Sequence, residues 1–190
     1  MDALIKKVES LNLERQLTLD DMPSVDLYMD QVIQLFESVY NETLRNDSEK
    51  VLTKTMINNY AKGKLLFPIT NKKYSKDHLI LISLIYQLKG SLSISDIKTS
   101  LDEINTKVVE KDEFLLKHLY QTYLSLADHN IELFKETIPK HVLSVQDQIK
   151  EIEEINMKSM EQFLLISSFV HMSNMYRKLA ESMIDEIKND

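Results

Sequence analysis

The sequence has no cysteine, and only two glycines and three prolines among 190 residues. Without cysteine there are no disulfides, thiolate metal sites or cysteine nucleophiles, which accords with a reducing cytoplasm. So few chain-breaking residues leave little room for tight turns, so the chain is expected to be mostly helical. The start, Met1-Asp2-Ala3-Leu4-Ile5-Lys6-Lys7, lacks the apolar centre of a signal peptide. The longest mostly apolar stretch, Phe163 to Met175, is interrupted by Ser167, Ser168, His171 and Ser173. At about 1.5 Å per residue it falls short of a bilayer core of roughly 30 Å. The expectation is a soluble, cytoplasmic protein with no membrane partner.

What is present is an uneven charge distribution. The formal net charge is −7. Residues 1–49 and residues 101–190 are acidic, while residues 50–90 hold eight lysines against one acid, Asp77. A basic block between acidic flanks points to a localised polyanion site, or to a solvated lysine-rich surface.

The helix signals follow in order. Residues 1–19 allow a short helical arm with Leu4, Val8 and Leu11 on one face. Asp20-Asp21-Met22-Pro23-Ser24 reads as a helix start, and Leu27, Met29, Val32, Ile33, Phe36 and Val39 then recur at helical spacing. Asn46-Asp47-Ser48-Glu49 reads as a loop. Thr53 is a candidate cap for a helix to Lys62, with Gly63 as its left-handed terminator. Leu65-Leu66-Phe67 and Lys72-Lys73-Tyr74 flank Pro68-Ile69-Thr70-Asn71, a pattern suited to a small hairpin. Ser75, with His78 three residues on, and Ser93 are candidate caps for two further helices. The last ninety residues predict two long helices. The first carries Phe114, Leu115, Leu119, Tyr123, Leu126 and Leu133 and stops near Pro139. The second runs from about Val142 to Ile187, with Ile152, Ile155, Ile166, Phe169, Tyr176, Met183 and Ile187 near the 3.5-residue period of a coiled coil.

The order short helix, basic hairpin, helix, short helix is the plan of a MerR-type winged helix, and residues 51–101 resemble that family. Met56-Ile57-Asn58-Asn59-Tyr60 matches its recognition-helix core, and Leu65-Leu66-Phe67-Pro68 its entry to the wing. Lys72-Lys73-Tyr74-Ser75-Lys76-Asp77 and Leu92-Ser93-Ile94-Ser95-Asp96-Ile97-Lys98 match its later steps. The strings DLYMDQV (26–32), LTKTMINNY (52–60), KKYSKDH (72–78) and LSISDIK (92–98) are closer still to a MerR-like bacterial family of unknown function, DUF1836, across residues 20–101. The expected fold class is therefore all-α. A MerR-like winged helix-turn-helix domain with a small β-hairpin wing spans 20–104, after the arm of 1–19. A helical dimerisation or effector region spans 105–190.

The resemblance implies binding of duplex DNA. A helix can enter the major groove and read base edges while a hairpin reaches the flanking backbone or minor groove. The candidate DNA-binding set is Lys54, Thr55, Asn58, Asn59, Tyr60, Lys62, Lys64, Lys72, Lys73, Tyr74 and Lys76. The lysines would meet phosphates and release counterions, and Asn58 and Asn59 could pair bidentately with adenine. Many MerR proteins carry arginine where this chain has Asn58, which removes one strong phosphate contact. Tyr60 and Tyr74 resemble positions near the DNA backbone, and packing in the winged-helix core is the equal alternative.

No glycine-rich phosphate loop, zinc-protease helix motif or nucleophile elbow occurs, and the five histidines do not cluster in sequence. No enzymatic activity, cofactor or metal is expected. Met157, Met160, Met172, Met175 and Met183 read as core or dimer seam before ligand pocket. Two functions remain: a dimeric DNA-binding transcriptional regulator, or a protein-interaction module on the same scaffold. The C-terminal helices either pair two chains into a homodimer or fold back into a monomeric bundle.

Overall fold

The computed structural model describes residues 2–110, 113–149 and 157–189. Helices dominate. They are α1 (Asp2–Glu9), α2 (Met29–Tyr40), α3 (Lys54–Lys62), α4 (Lys76–Leu88), α5 (Ile94–Val109), α6 (Glu113–Ile149) and α7 (Met157–Asn189). Two short strands, β1 (Leu27–Tyr28) and β2 (Lys73–Tyr74), pair antiparallel.

The N-cap signals at Thr53, Ser75 and Ser93 act as expected, because each is settled within one turn. The Thr53 side chain accepts from the Met56 backbone N–H at 3.1 Å, and Ser93 accepts from Asp96 N–H at 3.1 Å. At Ser75 the box closes with a histidine in place of the usual glutamate or glutamine. The Ser75 N–H donates to His78 Nδ1 at 3.1 Å.

One cluster of buried side chains joins residues 17 to 120. Its centre is α4, where every residue from His78 to Ile85 is buried, so this helix is enclosed on all sides rather than amphipathic. Phe36 and Tyr40 of α2, Ile57 and Tyr60 of α3, and Ile97 and Leu101 of α5 pack around it. Leu116 and Tyr120, in the first turns of α6, belong to the same core. The core therefore continues beyond residue 104.

Several local expectations yield to tertiary contacts. The helix expected from Asp20–Ser24 begins at Met29. Asp21 instead closes a turn by accepting from the Thr18 N–H and hydroxyl, and Leu27–Tyr28 stays extended to pair with β2. Residues 65–67 form no strand; β2 pairs with β1 in the register Leu27↔Tyr74 and Tyr28↔Lys73. A tight turn does form at Thr70–Lys73, where Asn71 and Lys72 have φ of 53° and 59°. Two successive positive φ values are the mark of a type I′ turn, whose twist suits antiparallel strands.

Gly63 does not supply the left-handed end of α3; its φ is −72°. The next residue, Lys64, takes that conformation at φ 57°. The Lys64 N–H donates to Ala61 O and the Leu65 N–H to Tyr60 O, which satisfies the last carbonyls of the helix. A Cβ at Gly63 would sit 2.7 Å from Leu65 Cδ1, so the buried Leu65 side chain would have to shift to admit one.

The helix α6 runs through Pro139 instead of stopping there. Proline inside a helix costs about 3 kcal/mol. Ile138 and Val142, which flank Pro139, are buried, and burying two aliphatic side chains contributes about that much. Residues 142–149 consequently finish α6, and α7 returns along it. Gln146 donates to Glu161 across the pair at 2.7 Å, and His141 meets the Phe169 ring edge to face at 6.0 Å. The far end of α7 reaches α5 through Lys188 and Asp96 at 2.9 Å. Of the apolar positions read from the sequence, Ile152 and Ile155 lie outside the described residues, as do the side chains of Phe114, Leu115 and Met157.

Candidate nucleic-acid interface

The helix α3 divides cleanly into two faces. Ile57 and Tyr60 are buried, while Thr55, Asn58, Asn59 and Lys62 are exposed. The exposed four are spaced i, i+3, i+4 and i+7, so they form one stripe along the helix. This face carries two amides, a hydroxyl and an ammonium group, and no carboxylate. Lys54 opens the same helix and pairs with Asp30 of α2 at 2.7 Å; both side chains are solvent-exposed, so the pair is weak.

The 70–73 turn forms the second part. Asn71 and Lys72 are exposed at its tip. Because Tyr28 and Lys73 are cross-strand neighbours on the outward side of the ladder, the Lys73 ammonium lies 5.2 Å from the Tyr28 ring centroid. Such a contact holds the charge in place without neutralising it. Lys64, just past α3, is exposed as well.

Beneath the turn sits His78. Its ring lies tilted against Phe67 with centroids 3.8 Å apart and meets Tyr74 edge to face at 5.9 Å. Nε2 lies 3.3 Å from the Phe67 carbonyl, and Nδ1 lies 2.8 Å from the Ser75 hydroxyl. A neutral ring with its proton on Nε2 satisfies every partner: Nε2–H donates to Phe67, and Nδ1 accepts from Ser75. Burial pushes the His78 pKa below its ordinary value, against smaller upward pulls from the Phe67 carbonyl and Asp26. One imidazole thus joins the segment entering the turn to the segment leaving it. The sequence marked His78 only as an ordinary helix residue three positions after a cap. Its ring partner Phe67, on the far side of the turn, was not legible.

The candidate set divides accordingly. Thr55, Asn58, Asn59, Lys62, Lys64 and Lys72 are exposed together with the paired Lys54, and Lys73 is half-exposed. Tyr60 and Tyr74 are core residues, each 3% exposed, and burial raises both phenol pKa values. Lys76 is also committed elsewhere: its ammonium donates to the Leu19 carbonyl at 2.6 Å. Lys89, another member of the basic block, donates to Val51 O at 3.0 Å and lies over the Tyr86 ring. Its pKa is lowered by burial. Two of the eight lysines thus bind backbone carbonyls. Tyr28 and Asp30, absent from the candidate set, are brought beside it by the β1–β2 pair and by α2.

Among the described residues, no group of three or more histidines or carboxylates could hold a metal ion. No described helix is long and apolar enough to cross a membrane. The sequence pattern of a family described as Domain of unknown function (DUF1836) matches residues 17–123. The match extends past residue 101, through α5 and into α6, and its limits coincide with the shared core. No curated protein and no solved structure matches the chain.

Proposed function

We propose that this chain, which belongs to the DUF1836 family, is a MerR-like winged-helix transcriptional regulator that binds duplex DNA through α3 and the 70–73 turn. The observation that carries the reading is the acid-free stripe Thr55, Asn58, Asn59 and Lys62 on the exposed side of α3. An amide can pair with the two adenine groups offered in the major groove, and an ammonium can meet a phosphate. The exposed Lys64 and Lys72 would extend the contact to the flanking backbone.

The net charge of −7 does not oppose this. Phosphate attraction acts over about 10 Å at 0.1 M salt, so the local block governs the approach. The test is fluorescence anisotropy of a mixed-sequence duplex titrated at several salt concentrations. Binding should weaken as salt rises. Replacing Lys62 and Lys72 by alanine should flatten the log–log salt dependence by about 0.9 per lost phosphate contact. An unchanged slope in both variants rejects the interface. No binding at low salt rejects DNA as the ligand and leaves a protein-interaction module on this scaffold.

A further inference from the structure

Of the 23 basic residues in the sequence, only Arg15, Arg45 and Arg177 are arginines. None lies in α3, in the 70–73 turn or between them, and the exposed stripe of α3 also lacks a carboxylate. Both absences bear on which base pairs this surface can read. In the major groove guanine offers two acceptors, read by a bidentate cation, and cytosine offers an amino donor, read by a carboxylate. Adenine offers one acceptor beside one donor, the complement of a carboxamide, and thymine offers a methyl group. The stripe presents Asn58 and Asn59 to the first and the Thr55 methyl to the second. From Thr55 to Asn59 the helix rises about 6 Å. That is close to two base-pair steps of about 3.4 Å, so the three side chains can address adjacent pairs. The one ammonium of the stripe, Lys62, is the last residue of α3 and is followed by the exposed Lys64. At that end of the helix the two lysines suit the phosphate backbone.

The turn points the same way. Asn71 and Lys72 stand exposed at its tip. Lys72 has φ of 59° in a position usually given to glycine, so an ammonium is kept at the tip against the preference of the backbone. In the minor groove A·T pairs present only acceptors, whereas guanine adds an amino donor. The Lys72 ammonium and the amide NH2 of Asn71 are donors. They complement A·T pairs, and the guanine amino group obstructs them. A·T tracts also narrow the minor groove and deepen its negative potential, which draws in lysine.

Granted duplex binding through α3 and the 70–73 turn, on which this step rests, we infer that the preferred ligand is A·T-rich duplex DNA, selected in both grooves. Thr55, Asn58 and Asn59 read thymine methyls and adenine edges in the major groove. Asn71 and Lys72 read the minor-groove floor that lacks the guanine amino group.

The test titrates the full chain against four duplexes of equal length by fluorescence anisotropy, at two salt concentrations. One duplex carries A·T pairs in mixed order, and one carries G·C pairs at the same positions. In the third, hypoxanthine·cytosine pairs keep the major-groove face of G·C but lack the guanine amino group. In the fourth, 2,6-diaminopurine·thymine pairs keep the major-groove face of A·T but add that amino group. The A·T duplex should bind tightest, by at least about fivefold over G·C, the lower bound for one bidentate base contact. The other two should fall between. Asn58→Ala with Asn59→Ala should narrow the gap between the A·T and hypoxanthine duplexes, which differ only in the major groove. Asn71→Ala with Lys72→Ala should narrow the gap between the A·T and diaminopurine duplexes, which differ only in the minor groove. Equal affinity for A·T and G·C, with binding still weakened by salt, would overturn the selectivity and leave duplex binding standing. Gaps that survive unchanged in both double variants would overturn the assignment to these residues. Absence of binding to all four duplexes at low salt would reject the DNA reading and this selectivity together.

Discussion

Tyr120 donates its phenolic hydroxyl to the backbone carbonyl of Leu17 at 2.5 Å, across 103 residues of sequence. The N–H of the same Leu17 donates to the Tyr40 hydroxyl at 3.1 Å. One buried peptide residue is therefore held at both polar ends by phenols from α2 and α6. These contacts lie close to the two limits of the family match, residues 17 and 123. The start and the end of the matched unit are tied to each other through the core.

Removing the Tyr120 hydroxyl should thus be costly. Tyr120→Phe keeps the ring but leaves the buried Leu17 carbonyl unpaired, at a cost of about 1–3 kcal/mol. Urea unfolding should show a lower midpoint with an unchanged slope. Tyr123→Phe is the comparison. Its phenol pKa is pushed up to about 12, chiefly by burial, yet its hydroxyl does not tie Leu17. A loss in Tyr123→Phe equal to that in Tyr120→Phe would show that the Leu17 bond is not what matters.

Tyr60 tests whether the recognition-helix tyrosine serves the core or a ligand. It is 3% exposed and its buried hydroxyl has no hydrogen-bond partner among the described residues. Relieving an unpaired buried hydroxyl should leave stability unchanged or raise it by up to about 1 kcal/mol in Tyr60→Phe. Duplex affinity should not move. A drop in affinity with stability retained would return the phenol to the DNA surface.

The Lys54–Asp30 pair sets a charge prediction. Asp30 lies 2.7 Å from Lys54 and offsets it. On the DNA reading, Asp30→Asn should tighten duplex binding and steepen its salt slope by up to about one unit, as a further lysine becomes available to phosphate. Stability should change by less than about 1 kcal/mol, because both partners are exposed. Weaker or unchanged binding would place Lys54 outside the contact.

His78 should make stability depend on pH. Its folded pKa lies below the ordinary value because burial disfavours the charged ring. The unfolded chain therefore takes up the proton first as pH falls. The stabilisation is complete above about pH 6.5, the unperturbed value, and is lost as pH drops from there through the lower folded pKa. Protonation also removes the acceptor at Nδ1 that the Ser75 N–H uses. His78→Gln keeps a box-closing side chain three residues after the cap and has no charge to gain. Comparing the two proteins' urea midpoints at about pH 7.5 and 5.5 isolates the effect, since pH 6.5 lies between. An equal fall in both would assign it elsewhere.

Three helix starts, each settled within one turn, were legible in the sequence. The caps at Thr53, Ser75 and Ser93 each close within three residues. The exposed stripe on α3 follows from the 3.6-residue period alone. The basic block was visible as composition. Tertiary structure decided what depended on distant partners. Tyr60 and Tyr74 point inward because α4 supplies a core for them. Lys76 and Lys89 leave the basic surface because carbonyls at Leu19 and Val51 lie within reach. The strand partner of Tyr74 is Leu27 rather than the nearer 65–67 segment, and α6 continues through Pro139 because Ile138 and Val142 are buried on either side. In each case a local preference of a few kcal/mol or less competed with burial and hydrogen bonding of similar size. Those opposing terms come from residues far away in sequence, so only the folded chain could decide between them.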